Sequence, residues 1–110
     1  MENSRKKDLV REYKERKAQP GIVAVRCTDA IWVGASRNVE TQKNGIWFQL
    51  RMGNHMNRAM QAAWTAQGGE AFTFEVLEVI EDENPQLIDL LLKDRETHWR
   101  TVTGAGKLFS

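Results

Sequence analysis

Only four residues separate two segments that are rich in β-branched and aromatic residues, GIVAVR at 21–26 and IWV at 31–33. Residues of these types favour extended backbone, so both segments are predicted to be β-strands. Because so short a connection does not allow a parallel crossover, the two strands are predicted to form an antiparallel hairpin. The small and polar residues GASRN follow at 34–38, and a hairpin that leads into a polar helix often builds a site on the surface of a sheet.

Apolar residues at helical spacing, preceded by capping residues, predict four helices. The clearest start is Asn84 followed by Pro85, because Asn caps a helix and Pro fits its first turn. The Asn44-Gly45 pair is predicted either to end the second helix or to kink it before an apolar continuation at 46–52. The predicted helices cover 1–19 with a cap at Ser4, 35–43 with its continuation, 57–67 with the stripe Met60, Ala63 and Trp64, and the long segment that opens at Pro85.

A third strand is predicted over AFTFEVLEVI at 71–80, with Phe72, Phe74 and Val76 on one side at a period of two residues. The element order α-β-β-α-α-β-α indicates a small α+β domain, with a three-stranded, largely antiparallel sheet flanked by helices. The residues after Thr101, VTGAGKLFS, are predicted to form a loose tail. We divide the chain into a basic N-terminal helix at 1–19, a folded domain at 20–103 and a tail at 104–110.

Composition places the chain among single-domain globular proteins. Its 110 residues suffice for one modest core, and a hydrophobic content of 41% is ordinary for this class. No apolar stretch approaches the roughly 18 residues of a membrane-spanning helix, and we expect neither a membrane partner nor a secretory signal. Cys27 is the only cysteine, and with two histidines no zinc cluster is expected, so the expected compartment is a reducing cytoplasm.

The net charge of +1 is unevenly distributed along the chain. Residues 1–20 carry seven Lys and Arg against four Asp and Glu, and residues 21–66 carry five against two, whereas residues 67–110 carry four against nine. A basic first part of the chain suits contact with a polyanion. A solvated surface with uneven charge explains the same distribution, so composition leaves the function open.

The last predicted helix carries a carboxylate near the face that should be apolar. Its inward stripe comprises Ile88, Leu91, Leu92 and Trp99. Glu96 lies one turn from both Leu92 and Trp99, and it therefore projects near the face that packs on the sheet.

Two interpretations of Glu96 are open at this point. An ionised carboxylate is costly to bury without a partner, so Glu96 is expected to have an ion pair, a hydrogen-bond donor or a metal ion. A structural partner could be Arg95, Arg100 or a strand residue at the edge of the helix. A carboxylate in such a place is also typical of a functional site.

Several ordered motifs resemble those of the GIY-YIG endonuclease superfamily. GIV at 21–23 stands where the family has Gly-Ile-Tyr, WVG at 32–34 stands where it has Tyr-Ile/Val-Gly, and RETHW at 95–99 is similar to its Glu-x-x-Trp motif. The stretch LRMGNHMNRAMQAAWTAQGGEAFTFEVLE is similar to the segment after the first helix in many members. The resemblance covers about residues 20–101 and implies the α+β fold of the family.

The resemblance also implies metal-dependent hydrolysis of a DNA phosphodiester. In the family scheme one glutamate holds a divalent cation, which polarises the scissile phosphate and stabilises the leaving oxygen. A hairpin tyrosine helps to activate the attacking water, and an arginine on the following helix stabilises the phosphate charge. Glu96 matches the metal-binding glutamate, so the implied cofactor is Mg²⁺ or Mn²⁺ and the implied partner is DNA. His55 is a peripheral match.

The sequence departs from the family at the residues that perform this chemistry. Val23 and Trp32 replace the two motif tyrosines, and neither side chain can take up a proton. Gln42 replaces the family arginine and carries no charge, and Ile46 stands where many members have His or Tyr. The asparagine that often follows the glutamate helix is absent. The candidate catalytic positions are Glu96, His55, Trp32 and Gln42.

Basic residues of the domain are candidates for contact with DNA. Arg37 and Lys43 flank the polar helix and could replace the missing arginine at a phosphate, although ordinary surface charge explains them as well. Asn44, next to Gly45, either presents backbone groups or serves only the turn chemistry of this pair. The candidate nucleic-acid-binding residues are Arg37, Lys43, Arg51 and Arg58.

The aromatic residues near the basic segment are either core residues or stacking surfaces for unpaired bases. Trp64, Trp99 and Phe48 are predicted to lie in the core. Both roles remain possible for Trp32, because the matching position lines the family's cleft. The exchange of tyrosine for tryptophan there keeps a flat surface and removes the hydroxyl.

Taken together, these residues predict a GIY-YIG nuclease-like domain that binds or processes DNA. Because the loss of one good electrostatic donor lowers a rate by a factor of about 10² or more, metal-dependent cleavage is expected to be weakened or lost. The alternative is a non-catalytic protein-interaction module on a degenerate nuclease scaffold.

Overall fold

The computed structural model describes residues 19–82 and 84–109. The predicted N-terminal helix lies outside the described residues, apart from its last position. None of the described helices is both long enough and apolar enough to cross a membrane. The elements are strands β1 (Gly21–Arg26) and β2 (Ile31–Ser36), helices α1 (Val39–Met52) and α2 (Arg58–Gln67), a 3₁₀ helix (Gly69–Ala71), strand β3 (Thr73–Val79), helix α3 (Pro85–Thr103) and strand β4 (Gly106–Lys107).

The strands form one mixed sheet in the order β3-β1-β2-β4. β1 pairs antiparallel with β2, as the hairpin prediction required, and Val23 lies opposite Gly34 in this register. β1 also pairs antiparallel with β3, whereas β4 pairs parallel with β2 through Trp32 and Val33. The predicted α+β class is confirmed, and the sheet has four strands rather than three.

The sheet separates two cores, because side chains alternate between its faces along each strand. Helices α1 and α2 cover one face, and α3 covers the other. The core on the α1–α2 face comprises Val25, Trp32, Ile46, Leu50, Met60, Phe72 and Leu108, and the core on the α3 face comprises Ile22, Ala24, Val33, Ile80, Leu92 and Ala105.

Helix α1 runs through Asn44 and Gly45, so the first of the two predicted alternatives, an end of the helix at this pair, is wrong. A glycine costs roughly 1 kcal/mol inside a helix. The burial of Val39, Ile46 and Leu50 against the sheet outweighs this cost. Tertiary packing therefore overrides the local turn signal.

Phe48 lies on the outward face of α1 with 60% of its surface exposed, so its prediction as a core residue is wrong. Ile46 and Leu50 face the sheet, and a residue midway between them on a helix points away from it. Trp64 and Trp99 are partly buried and pack against the two cores, as predicted.

The C-terminal segment is packed against the domain, which corrects the prediction of a loose tail after Thr101. Helix α3 continues to Thr103, and β4 then adds a fourth strand to the sheet. Leu108 is completely buried. The side-chain amide of Asn57 donates hydrogen bonds to the carbonyl oxygens of Lys107 at 2.8 Å and Leu108 at 3.2 Å. The segment is therefore part of the fold.

Helix α3 packs on the sheet through the apolar stripe that its sequence predicts. Leu92 is buried, and Ile88, Leu91 and Trp99 pack against the same core while partly exposed. These contacts fix the rotation of α3 about its axis. Glu96, one turn after Leu92, is consequently turned toward β2.

Candidate functional site

Glu96 lies where α3 crosses the free end of β2. Its carboxylate oxygen Oε1 accepts a hydrogen bond from the backbone N–H of Ala35 at 3.1 Å. This N–H is available because β4 pairs with β2 only at Trp32 and Val33. A strand residue thus supplies the partner that Glu96 was expected to need, and the carboxylate is half-buried beside the sheet.

A cavity of about 250 Å³ lies beside Glu96, between the end of β2 and α3. Two basic and two acidic side chains contribute to its wall, and the guanidinium of Arg37 forms an ion pair with the carboxylate of Asp89. The residues that line the cavity are Ala35, Ser36, Arg37, Asp89, Leu92, Lys93 and Glu96.

The arginine next to Glu96 in sequence is engaged elsewhere. Nε of Arg95 donates a hydrogen bond to Glu78 Oε1 at 2.8 Å, and Nε1 of Trp99 donates to the same oxygen at 2.9 Å. The hydrogen bond from Arg95, followed by that from Trp99, lowers the pKa of the Glu78 carboxyl below its ordinary value. Arg95 therefore holds Glu78 and is not the structural partner of Glu96.

Gln42 contacts the site through Ser36. The hydroxyl of Ser36 donates a hydrogen bond to Gln42 Oε1 at 2.7 Å and accepts one from the N–H of Asn38 at 3.1 Å. Ser36 is almost completely buried, whereas Gln42 is half-buried. Gln42 thus supports one wall of the cavity, and its neutral amide adds no charge there.

Trp32 lies on the opposite face of the sheet from α3. Its ring stacks on that of Phe72 with the ring centroids 6.3 Å apart, and only 8% of the residue is exposed. A Cβ atom added at Gly106 would lie 3.3 Å from the Trp32 ring, so β4 also packs closely against it. The indole does not line the cavity beside Glu96.

The rest of this hairpin face is also closed. Val23 is completely buried, and the ring of Phe109 covers Gly34. A Cβ atom added at Gly34 would lie 2.7 Å from that ring, so a larger residue at this position would have to displace it. The motif positions on this face therefore form a packed core rather than an open cleft.

His55 lies in the connection between α1 and α2 and is 5% exposed. Its Nδ1 accepts a hydrogen bond from the N–H of Asn57 at 3.0 Å, so the neutral ring carries its proton on Nε2. Nε2 is buried without a hydrogen-bond partner among the described residues. Burial lowers the pKa of His55 below its ordinary value of 6.5, and His55 does not line the cavity.

The predicted nucleic-acid-binding residues do not all meet at one place. Arg37 lines the cavity, whereas Lys43, Arg51 and Arg58 are exposed on α1 and α2 outside its lining. The ammonium of Lys43 lies 5.9 Å from the ring centroid of Trp47. Arg51 Nε donates a hydrogen bond to the backbone oxygen of Trp47 at 3.3 Å.

The fold of this chain has a counterpart among solved structures, the catalytic domain of the homing endonuclease I-TevI. The two structures align with a TM-score of 0.61 over 74% of this chain and 85% of that domain, at 20% sequence identity. The chain has a GIY-YIG fold. No protein-family model matches the sequence, and none of the curated proteins matches it. The resemblance seen in the motifs is thereby confirmed for the fold.

GIY-YIG nucleases generally depend on a divalent metal ion, so we compare the donor groups around Glu96 with what such an ion needs. Within residues 19–82 and 84–109 there is no group of three or more His, Cys, Asp and Glu side chains able to hold a metal ion. Glu96 Oε2, however, has no hydrogen-bond partner among these residues, since only Oε1 is engaged. Mg²⁺ keeps several waters and is often held by one or two carboxylates together with substrate phosphates, so a single carboxylate at a cavity suits it.

Sequence reasoning missed two charged residues that line the cavity, Asp89 and Lys93. Both line the cavity with Glu96, and the three residues follow one another at i, i+4 and i+7 on α3. This spacing places them on one face of a helix, so the pattern could have been found beside the apolar stripe. The N–H of Ala35 has no signal in the sequence, because it depends on where β4 stops pairing with β2.

Proposed function

We propose that this domain binds the phosphate groups of DNA in the cavity between β2 and α3, with Glu96 as the protein ligand of Mg²⁺ or Mn²⁺. The observation that carries the proposal is the hydrogen bond from the Ala35 N–H to Glu96, which fixes the carboxylate at the wall of a cavity that also contains Arg37 and Lys93. The fold shared with the I-TevI catalytic domain supports the same class of ligand.

Different residues at this site bind the cation and the phosphate. The Ala35 N–H orients Glu96 through Oε1, and Oε2, which has no partner among the described residues, would bind the cation. A bound divalent cation would polarise the scissile phosphate. Arg37 and Lys93 supply positive charge for phosphate oxygens, and Arg–phosphate contacts are among the stronger hydrogen bonds.

Slow phosphodiester cleavage is part of the proposal. Val23 has no hydroxyl and is completely buried, and the Trp32 indole is nearly so, which leaves neither of them to move a proton at the cavity. Gln42 brings no charge, and its oxygen is engaged by Ser36. Because removal of one electrostatic donor commonly costs a factor of about 10² to 10³ in rate, we expect binding to persist where cleavage is slow.

Substitution of Glu96 tests this proposal. Plasmid, branched and single-stranded DNA are incubated with the full chain and Mg²⁺ or Mn²⁺, and both cleavage and binding are measured. We expect the Glu96→Gln variant to lose the metal-dependent part of binding and any cleavage, because the metal ligand is removed while the shape is retained. Glu70→Gln is the matched control, since Glu70 is exposed and lies outside the cavity. Equal metal dependence in the Glu96→Gln and Glu70→Gln variants would contradict the proposal.

One observation favours a protein-interaction module as the second candidate function. Phe48, Met52 and Met56 are each at least 60% exposed, and the first two lie one turn apart on the outward face of α1. Exposed apolar side chains that lie together are typical of contact surfaces. A Phe48→Ser/Met52→Ser variant that loses one specific protein partner while its DNA binding is unchanged would support this function over the first.

A further inference from the structure

Arg37 and Asp89, two side chains of opposite charge at the rim of the cavity, form an ion pair with each other. Arg37 follows directly after β2, and Asp89 lies in the second turn of α3. Their ion pair is largely in solvent, because the side chains are 72% and 56% exposed. Exposed pairs of this kind contribute little to stability. The fold therefore does not depend on this contact.

A second basic side chain, that of Lys93, lines the cavity together with Arg37. Lys93 lies one helical turn after Asp89 and lines the same cavity. It forms no ion pair with any of the residues described here. Two basic side chains thus line one small cavity, and among the described residues only Arg37 has a counterion.

We propose that Asp89 is an internal competitor for a phosphate group that binds between Arg37 and Lys93. The planar guanidinium binds a carboxylate and a phosphate through the same pair of N–H donors, so Asp89 occupies the donors that a phosphate needs. This inference rests on the proposed function in taking the phosphate of a polynucleotide as the ligand. It goes beyond that function by assigning Asp89 as the residue that weakens binding.

The size of the cavity supports a phosphate group rather than a whole nucleotide. Its volume of about 250 Å³ is below the usual range for sites that enclose a drug-sized molecule. A phosphate with its oxygens on Arg37 and Lys93 fits, while the sugars and bases remain outside. Such a site recognises the charge of the phosphate backbone and not the base sequence.

The first experiment measures binding of a fluorescently labelled DNA duplex by anisotropy, in EDTA so that no divalent cation takes part. The Asp89→Asn variant is expected to bind about three to five times more tightly than the unmodified chain, because it frees the guanidinium of Arg37. Asp94→Asn is the matched control, since it removes the same charge from an exposed position of α3 outside the cavity. In an Arg37→Ala background, Asp89→Asn should gain no more than Asp94→Asn does.

The second experiment replaces DNA by inorganic phosphate and follows the guanidinium Nε–H signal of Arg37 by NMR. We expect phosphate to shift this signal in the Asp89→Asn variant at lower concentration than in the unmodified chain. If the variant binds phosphate at Arg37 and no variant binds DNA, the competitor site stands and the proposed function fails. Equal gains from Asp89→Asn and Asp94→Asn, or a gain that survives Arg37→Ala, would overturn the inference even where DNA binding itself is confirmed. Thermal unfolding of each variant verifies that it is folded.

Discussion

A single backbone N–H explains why a carboxylate is stable on the inner side of α3. Glu96 would be costly to bury alone, and the hydrogen bond from Ala35 offsets part of that cost. The remaining oxygen of the carboxylate is left without a partner among the described residues. The same geometry thus makes the partial burial of Glu96 tolerable and leaves one carboxylate oxygen able to bind a ligand.

His55 should make the stability of the domain depend on pH. Its pKa is lowered by burial in the folded chain, whereas in the unfolded chain it titrates near 6.5. The unfolded state therefore binds more protons below this pH, and the free energy of unfolding should fall as the pH decreases from about 6.5 toward the folded pKa. The lowered pKa of Glu78 acts in a separate window, below its ordinary value of 4.5.

Thermal unfolding between pH 7.5 and pH 5 measures this effect. We expect a His55→Gln variant to lose the pH dependence above about pH 5, although it is less stable throughout because Asn57 loses its acceptor. A His98→Gln variant is the control, since His98 is exposed. If the His98→Gln variant loses the dependence and the His55→Gln variant keeps it, the assignment to His55 is wrong.

Sequence reasoning at the scale of single residues succeeded where one residue broke a regular pattern. Glu96 interrupts an apolar stripe and was expected near the face that packs on the sheet, and the structure places it there, beside β2. Asp89 and Lys93 lie on the same face of the helix. The apolar stripe does not predict apolar residues at their positions, so charged residues there did not stand out in the sequence. The contact of Gln42 with Ser36 and the position of His55 could not be predicted, because both depend on how the loops after β2 and α1 fold back.

The C-terminal segment is the element whose role differs most from the sequence prediction. Two residues of β4 and the buried Leu108 turn the hairpin face with Val23, Trp32 and Gly34 into a core. The segment contains two glycines and only one strongly apolar pair, so its pattern is too short to predict a strand. It is held by Asn57, which lies far away in sequence.

Substitution of Asn57 tests how much this attachment stabilises the domain. The Asn57 side chain caps α2 by accepting the N–H of Met60 and donates to two carbonyl groups of the C-terminal segment. Asn57→Ala should lower the free energy of unfolding by about 2–4 kcal/mol, because it removes a cap and leaves the buried carbonyl group of Leu108 unpaired. Chemical denaturation measures the loss.

Asn84→Ala provides the comparison for this prediction. Asn84 caps α3 through the N–H of Gln86 and is exposed, so its removal should cost only about 1 kcal/mol. Similar losses for the two alanine variants would mean that the carbonyl contacts of Asn57 add nothing to its cap.

The whole molecule has a nuclease-like fold. The hairpin, the α+β class and the packing of α3 follow from patterns that local sequence specifies strongly. The fourth strand and the closure of the hairpin face come from long-range contacts that no local pattern encodes. At 20% identity with the I-TevI catalytic domain, the backbone arrangement is shared.

Binding of Mn²⁺ is the measurement that addresses the role of Glu96 most directly. Paramagnetic broadening of backbone amide signals reports which residues lie near the bound ion. We expect the amides of Ala35 and Arg37 to broaden first as Mn²⁺ is added, and we expect Glu96→Gln to abolish this while Glu70→Gln does not. Broadening centred on the exposed acidic residues Glu81 and Asp82, or broadening at Ala35 that persists in the Glu96→Gln variant, would contradict the account.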